Sequence, residues 1–162
     1  MLITSRTSEL GALGLKGADM VPVMVRVMLT YPQGWIRAFL PIHFLKRAYA
    51  RYGYTPRQGD PGSGRRFAGS YQGNKLLRFG RTLPLVYTGR GRAEALSSRR
   101  ATATRRRASA IVPARVYNLR NPASRVDMRK ELTTVAAVEQ AQLNADAQRK
   151  TDAEINRLAA RY

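Results

Sequence analysis

Arg99–Tyr117, RRATATRRRASAIVPARVY, decides the fold class. Before and after it, apolar residues recur at three- and four-residue steps. Inside it the pattern changes to runs rich in Thr, Val and Ile, broken by three consecutive arginines. β-Branched residues suit the pleated, half-buried surface of a strand, and a charged triplet between two such runs suits the link that joins them. The reading is a β-hairpin, with strands near Ala101–Thr104 and Ala108–Val112 and Arg105–Arg107 at or near its turn. The expected fold is therefore α+β: an N-terminal helical region, a small antiparallel β-sheet with an Arg-rich hairpin, and a C-terminal helix.

Upstream, Ala18–Leu45 is the most apolar stretch. Met20, Val21, Met24, Val27, Met28 and Tyr31 fall on one helical face. Pro22 is tolerated in a first turn. Pro32 and Gly34 leave a choice between one kinked helix and two, the second running from Gln33 to Leu40 and ended by Pro41. Arg57–Phe67, rich in Gly, Pro and Arg, reads as a loop. A short helix is expected at Lys75–Phe79, a turn at Gly80–Pro84, and a helix over Gly89–Ser97 capped by the Thr88 hydroxyl. Downstream, Asn118–Asp127 reads as a loop. Val135–Tyr162, full of strong helix formers, reads as one helix or as two with a break near Arg149–Asp152. The chain divides into an arm (1–17), an α+β core (18–134) and the closing helix (135–162).

Charge is the dominant compositional fact. The 162 residues hold 29 Lys+Arg against 10 Asp+Glu, a net charge of +19, and 24 of the 29 cations are arginine. Arg37–Lys130 contains 22 basic and 3 acidic residues, whereas Glu131–Tyr162 contains 4 basic and 5 acidic. Guanidinium makes planar two-pronged bonds to phosphate and carboxylate, so an arginine-dense surface points to nucleic acid or acidic protein. Biased codon usage is the bland alternative. Copies of such a chain repel one another until counterions or an acidic partner intervene.

Several chemistries are disfavoured. With no cysteine there are no disulfides, thiolate metal sites or cysteine nucleophiles. His43, the single histidine, lies beside Phe44 and near Pro41 without an acidic neighbour, which reads as structural. The scattered carboxylates suggest no local acid–base pair. Gly59–Arg66, GDPGSGRR, lacks phosphate-loop spacing. No catalytic residue, metal or cofactor is expected. No apolar run reaches the roughly 18–20 residues of a membrane span, and the N-terminus lacks a signal-peptide layout.

The candidate contact residues are arginines. Arg99, Arg100, Arg105, Arg106 and Arg107 put five cations in nine residues, and Arg90 and Arg92 open the helix before them. Phosphates neutralised by such a cluster release counterions and make binding steeply salt-dependent. A solvated basic face, or a seam against an acidic neighbouring subunit, would use the same residues. Tyr49, Tyr52 and Tyr54, interleaved with Lys46, Arg47, Arg51 and Arg57, suggest a platform for stacking bases. No zinc finger, RNP signature or helix-turn-helix is present.

Pro84–Ser97, PLVYTGRGRAEALS, resembles a signature of tail-completion and virion-morphogenesis proteins of tailed bacteriophages: Pro84-Leu85, a short spacer, then Thr88, Gly89, Arg90 and Arg92 leading into a helix before a hairpin. Leu40–Arg57, Val112–Leu119 and the MRKELTTV segment resemble neighbouring parts of those proteins, so the similarity spans roughly residues 36–140. Gly91 departs from the longer apolar side chain usual there. The resemblance implies a non-enzymatic structural virion protein, assembled in the host cytoplasm, that forms a homo-oligomeric ring in the neck. The ring would join or seal head and tail beside other neck, portal or tail proteins, with possible contact to packaged DNA. A stand-alone nucleic-acid-binding protein of ribosomal or nucleoid type fits the composition equally. Ring subunits need heterologous contacts, for which residues 1–17, 99–117 and 135–162 are the candidates.

Overall fold

The computed structural model describes residues 17–60, 63–64, 66–86, 88–97, 99–112 and 126–160. The apolar N-terminal stretch forms α1 (Gly17–Gly34), one helix that runs through both Pro22 and Pro32. It continues as a wider π-type turn, Trp35–Phe39, in which the Leu40 N–H reaches back to the Trp35 carbonyl. A tighter 3₁₀ turn, Leu40–Phe44, follows, with Pro41 in its first positions. Pro32 lacks an amide proton, and a widened turn just beyond it is one way a helix absorbs that loss. The rod is thus one helix that changes its winding, not two helices.

The short α2 (Ala48–Tyr52) ends at Gly53 in the left-handed region. α3 (Tyr71–Phe79) starts earlier than Lys75, because the Ser70 hydroxyl accepts the Gly73 amide at 3.1 Å and caps it. α4 (Arg90–Ser97) begins where the Arg90 amide donates to Thr88 Oγ1 at 3.3 Å. β1 (Arg100–Ala103) and β2 (Ala108–Ile111) pair antiparallel, Arg100 opposite Ile111 and Ala103 opposite Ala108. This matches the expected strands to within a residue. Ala101, Ala103, Ala108 and Ala110 share one face of the ribbon, and both strands lie against α1. Small side chains permit that approach, which an isolated two-stranded ribbon needs for stability. α5 (Met128–Thr133) is capped by Asp127. α6 (Ala137–Ala159) is a single helix without the break considered near Arg149. The expected arm at 1–16, and Pro113–Arg125 with most of the Asn118–Asp127 loop, lie outside the described residues.

α1 and α6 pack side by side, and Leu143 seats on Gly34, where an added Cβ would come within 2.8 Å of its Cδ2. The packed face of α1 is therefore the one bearing Val23 and Gly34. The stripe expected from Met20 to Tyr31 is only partly covered: Val21 and Met24 on it are exposed, whereas Met20, Val27, Met28 and Tyr31 are half-buried and Tyr31 packs on the core. The core gathers Trp35, Ile36, Phe39, Leu40 and Phe44 with Ala48, Leu85, Val86, Ala95, Leu132 and Leu143. One glycine is fixed by space rather than by backbone angle. A Cβ on Gly73 would lie 2.2 Å from the Phe67 carbonyl oxygen. Ala ordinarily gains about 1 kcal/mol over Gly inside a helix. Gly73→Ala should instead lose about 1–3 kcal/mol through overpacking, seen as a lower urea midpoint; a raised midpoint would contradict the packing.

Candidate polyanion interface

The hairpin turn is built by Thr104. Its amide donates to the Arg107 carbonyl at 2.7 Å, and its hydroxyl accepts from the Arg107 and Arg106 amides at 3.1 and 3.4 Å. With the backbone satisfied by Thr104, all three arginine side chains of the turn are free to project, and Arg105, Arg106 and Arg107 are exposed. Arg100 is exposed at the base of β1, with Arg99 half-buried just before it. A strand rises about 3.4 Å per residue, so the five arginines lie along roughly 15 Å of ribbon, a span comparable to a few phosphates of one nucleic-acid strand. Arg90 (exposed) and Arg92 (half-buried) sit on the first turn of α4, in the segment that leads into the hairpin. None of these seven arginines forms a salt bridge among the described residues.

Three buried carboxylates are engaged away from the hairpin. Glu131 takes both arms of Arg57, at 2.8 and 2.5 Å, and the Thr55 amide at 3.0 Å. Glu139 accepts from Arg51 at 2.7 Å and from the Tyr52 hydroxyl at 2.6 Å. Glu154 gathers Arg26, Lys150 and Arg157, and Arg26 chiefly holds its carboxyl below the usual range. These buried acids take Arg57, Arg51 and Arg26, so the hairpin keeps its charge, while α4 carries Glu94 beside its two arginines.

This arrangement overturns the base-stacking reading of residues 46–57. Tyr52 and Tyr54 are buried, the Tyr54 hydroxyl donating to the Glu131 carbonyl at 2.9 Å. Tyr49 accepts from Gln72 at 3.2 Å and lies under the Arg57 guanidinium. Aromatics and cations alternate here because they bond one another inside the protein. Burial pushes all three phenols above their ordinary value. The acidic partners that make this interior were missed in the sequence. The signal within reach was Glu139, three residues after the helix-capping position Ala136, whose amide it accepts at 3.2 Å.

His43 lies in the interior. It is fully buried and stacked on Tyr52, ring centres 4.0 Å apart and nearly parallel. The Tyr54 hydroxyl has one proton, given to the Glu131 carbonyl, so it accepts from His43 Nδ1–H. Nε2 is then the bare nitrogen, buried with no hydrogen-bond partner among the described residues. A proton there would be an unsolvated charge, and burial holds the imidazole down at about 4. Lys75 is also buried; its Nζ donates to the Leu83 carbonyl at 2.5 Å, and burial, then Arg57, lowers it to about 8.

Among the described residues no group of three or more His, Asp or Glu could hold a metal, and no helix is long and apolar enough to cross a membrane. Compared with protein-family models, curated proteins and solved structures, the chain matches none of them.

Proposed function

We propose that this chain is a non-enzymatic assembly subunit of the neck or tail-completion ring of a tailed bacteriophage, joining or sealing head and tail and meeting an anionic partner through its arginine hairpin. One observation supports the anionic contact above the rest: Arg105, Arg106 and Arg107 project from a turn whose backbone is satisfied by Thr104, with no described carboxylate paired to them. The phage setting rests on the similarity of Pro84–Ser97 and its flanks to tail-completion proteins. Packaged DNA and an acidic neck or portal surface share the chemistry that guanidinium recognises.

Two measurements test this. In DNA binding followed by fluorescence anisotropy from about 50 to 200 mM salt, replacing Arg105, Arg106 and Arg107 with Gln should flatten the slope of log K against log salt by about 3, near one per lost phosphate contact. An unchanged slope removes the hairpin from the interface. On negative-stain grids the purified chain should give rings of fixed stoichiometry. A chain that stays single-copy and tight on arbitrary DNA favours the second reading, a stand-alone nucleic-acid-binding protein.

A further inference from the structure

The helix α3 is built inside out. Its buried side carries Gln72, Gly73 and Lys75. Its outward side, at steps of three and four residues, carries Tyr71, Asn74, Leu77 and Arg78, all exposed. Leu77 is 86% exposed and Tyr71 43%. An ordinary surface helix does the reverse, turning leucine in and lysine and glutamine out.

The inversion is held in place by named contacts. The Gln72 backbone amide donates to the Gln58 carbonyl at 3.1 Å, and its side-chain nitrogen donates to Asp60 at 2.9 Å and to the Tyr49 hydroxyl at 3.2 Å. Lys75 Nζ donates to the Leu83 carbonyl. Gly73 lies so close to the Phe67 carbonyl that only a residue without a Cβ fits there. Turning α3 over to bury Leu77 would break these bonds and drive a side chain into the Phe67 backbone. Single exposed apolar residues are ordinary. A helix locked with two polar side chains inside and a leucine bare departs from what folding alone favours, and such departures mark functional surfaces.

Charge and composition indicate what meets this face. Arg78 adjoins Leu77, and Arg66 is exposed just before the helix; neither forms a salt bridge among the described residues. A second copy of a +19 chain is repelled from it. Nucleic-acid phosphate rewards the arginines and gains nothing from the leucine. A lipid surface would have to take in Asn74, an exposed amide between Tyr71 and Leu77, without the hydrogen-bond partners that another protein can supply. Tyrosine and arginine are the side chains that most often anchor contacts between proteins. Charge complementarity then requires the other protein to be acidic.

We infer that the Tyr71–Leu77–Arg78 face of α3 docks an acidic protein surface, with Leu77 entering an apolar depression and Arg78 meeting a carboxylate at its rim. The contact is separate from the arginine hairpin, whose turn presents charge alone, and it does not depend on the phage setting.

Fluorescence anisotropy on the full chain tests it with two synthetic acidic probes: an amphipathic helical peptide of leucine and glutamate, and polyglutamate of the same charge. Leu77→Ser should weaken binding of the leucine-bearing peptide about tenfold, from the loss of one buried leucine, and leave polyglutamate unchanged. Arg78→Gln should weaken the same peptide about threefold, as loss of a rim ion pair does. Leu77 is so exposed that its replacement leaves folding untouched, so the variant reads binding alone. The Leu77 effect should persist when Arg105→Gln, Arg106→Gln and Arg107→Gln are also present; its disappearance would place the peptide on the hairpin and overturn the α3 contact. Leu77→Ser that binds both probes as the parent does overturns it as well. So does Leu77-dependent binding to phosphatidylserine vesicles with no Leu77 effect on the peptide, which would make the face a lipid contact.

Discussion

Glu131→Ala is expected to lower the unfolding free energy by about 3–5 kcal/mol, the cost of leaving a buried cation without its counter-ion. Both side chains of the Arg57–Glu131 pair are 9% exposed, and the contact is two-pronged. The carboxylate also satisfies the Thr55 amide, so truncation strands a guanidinium and a backbone donor together. Arg57 keeps the Thr55 carbonyl and the rings of Tyr49 and Tyr54, which soften the loss without supplying an anion. Because a domain of this size is stable by only about 5–15 kcal/mol, the variant should melt far below the parent. The double variant Glu131→Ala, Arg57→Met should recover most of the loss, since removing both charges removes the desolvation problem with them. Urea unfolding of the four proteins in the cycle measures the coupling directly. A loss under about 1 kcal/mol for Glu131→Ala would mean water reaches the pair and the interior described here is wrong.

The parts of this fold legible in the sequence are those set by local chemistry. The hairpin followed from a change of period and from an arginine triplet that no buried strand accepts, and α4 from a threonine at the right distance before it. The inward face of α1 was only partly legible: Val27 and Tyr31 of the expected stripe are half-buried, and Tyr31 meets the core. Val, Met and Leu surround that helix, so periodicity also drew in Val21 and Met24, which are exposed, and missed Val23 and Gly34, on which packing against α6 falls. The polar interior was hidden for another reason: its Arg57–Glu131 and Arg51–Glu139 pairs join residues 74 and 88 positions apart. Local reading sees an arginine beside a tyrosine and cannot tell whether a distant glutamate arrives. Hence Arg51 and Arg57 seemed as available as Arg105, and only the folded chain separates the neutralised cations from the unpaired ones.

The same interior should make the protein acid-sensitive through His43, by up to about 3 kcal/mol between pH 6.5 and 4. The unfolded chain takes up a proton on this ring near pH 6.5, whereas the folded chain, with the ring buried and Nε2 unpartnered, resists until about 4. Within that window the unfolded state holds the extra proton. Stability therefore rises with pH across it and falls as pH drops toward 4; above about pH 7 neither state is protonated and this group adds no slope. Glu139 and the bond toward Glu131 pull the imidazole upward, but desolvation is the larger effect and sets the sign. His43→Phe keeps a ring against Tyr52 and removes the titration, and the Tyr54 hydroxyl still has the Glu131 carbonyl to donate to. Its unfolding free energy, followed by urea from pH 4.5 to 7.5, should change less steeply than that of the parent, whatever the offset at neutral pH. Equal slopes for the two proteins would show that His43 is protonated, and solvated, in the folded chain.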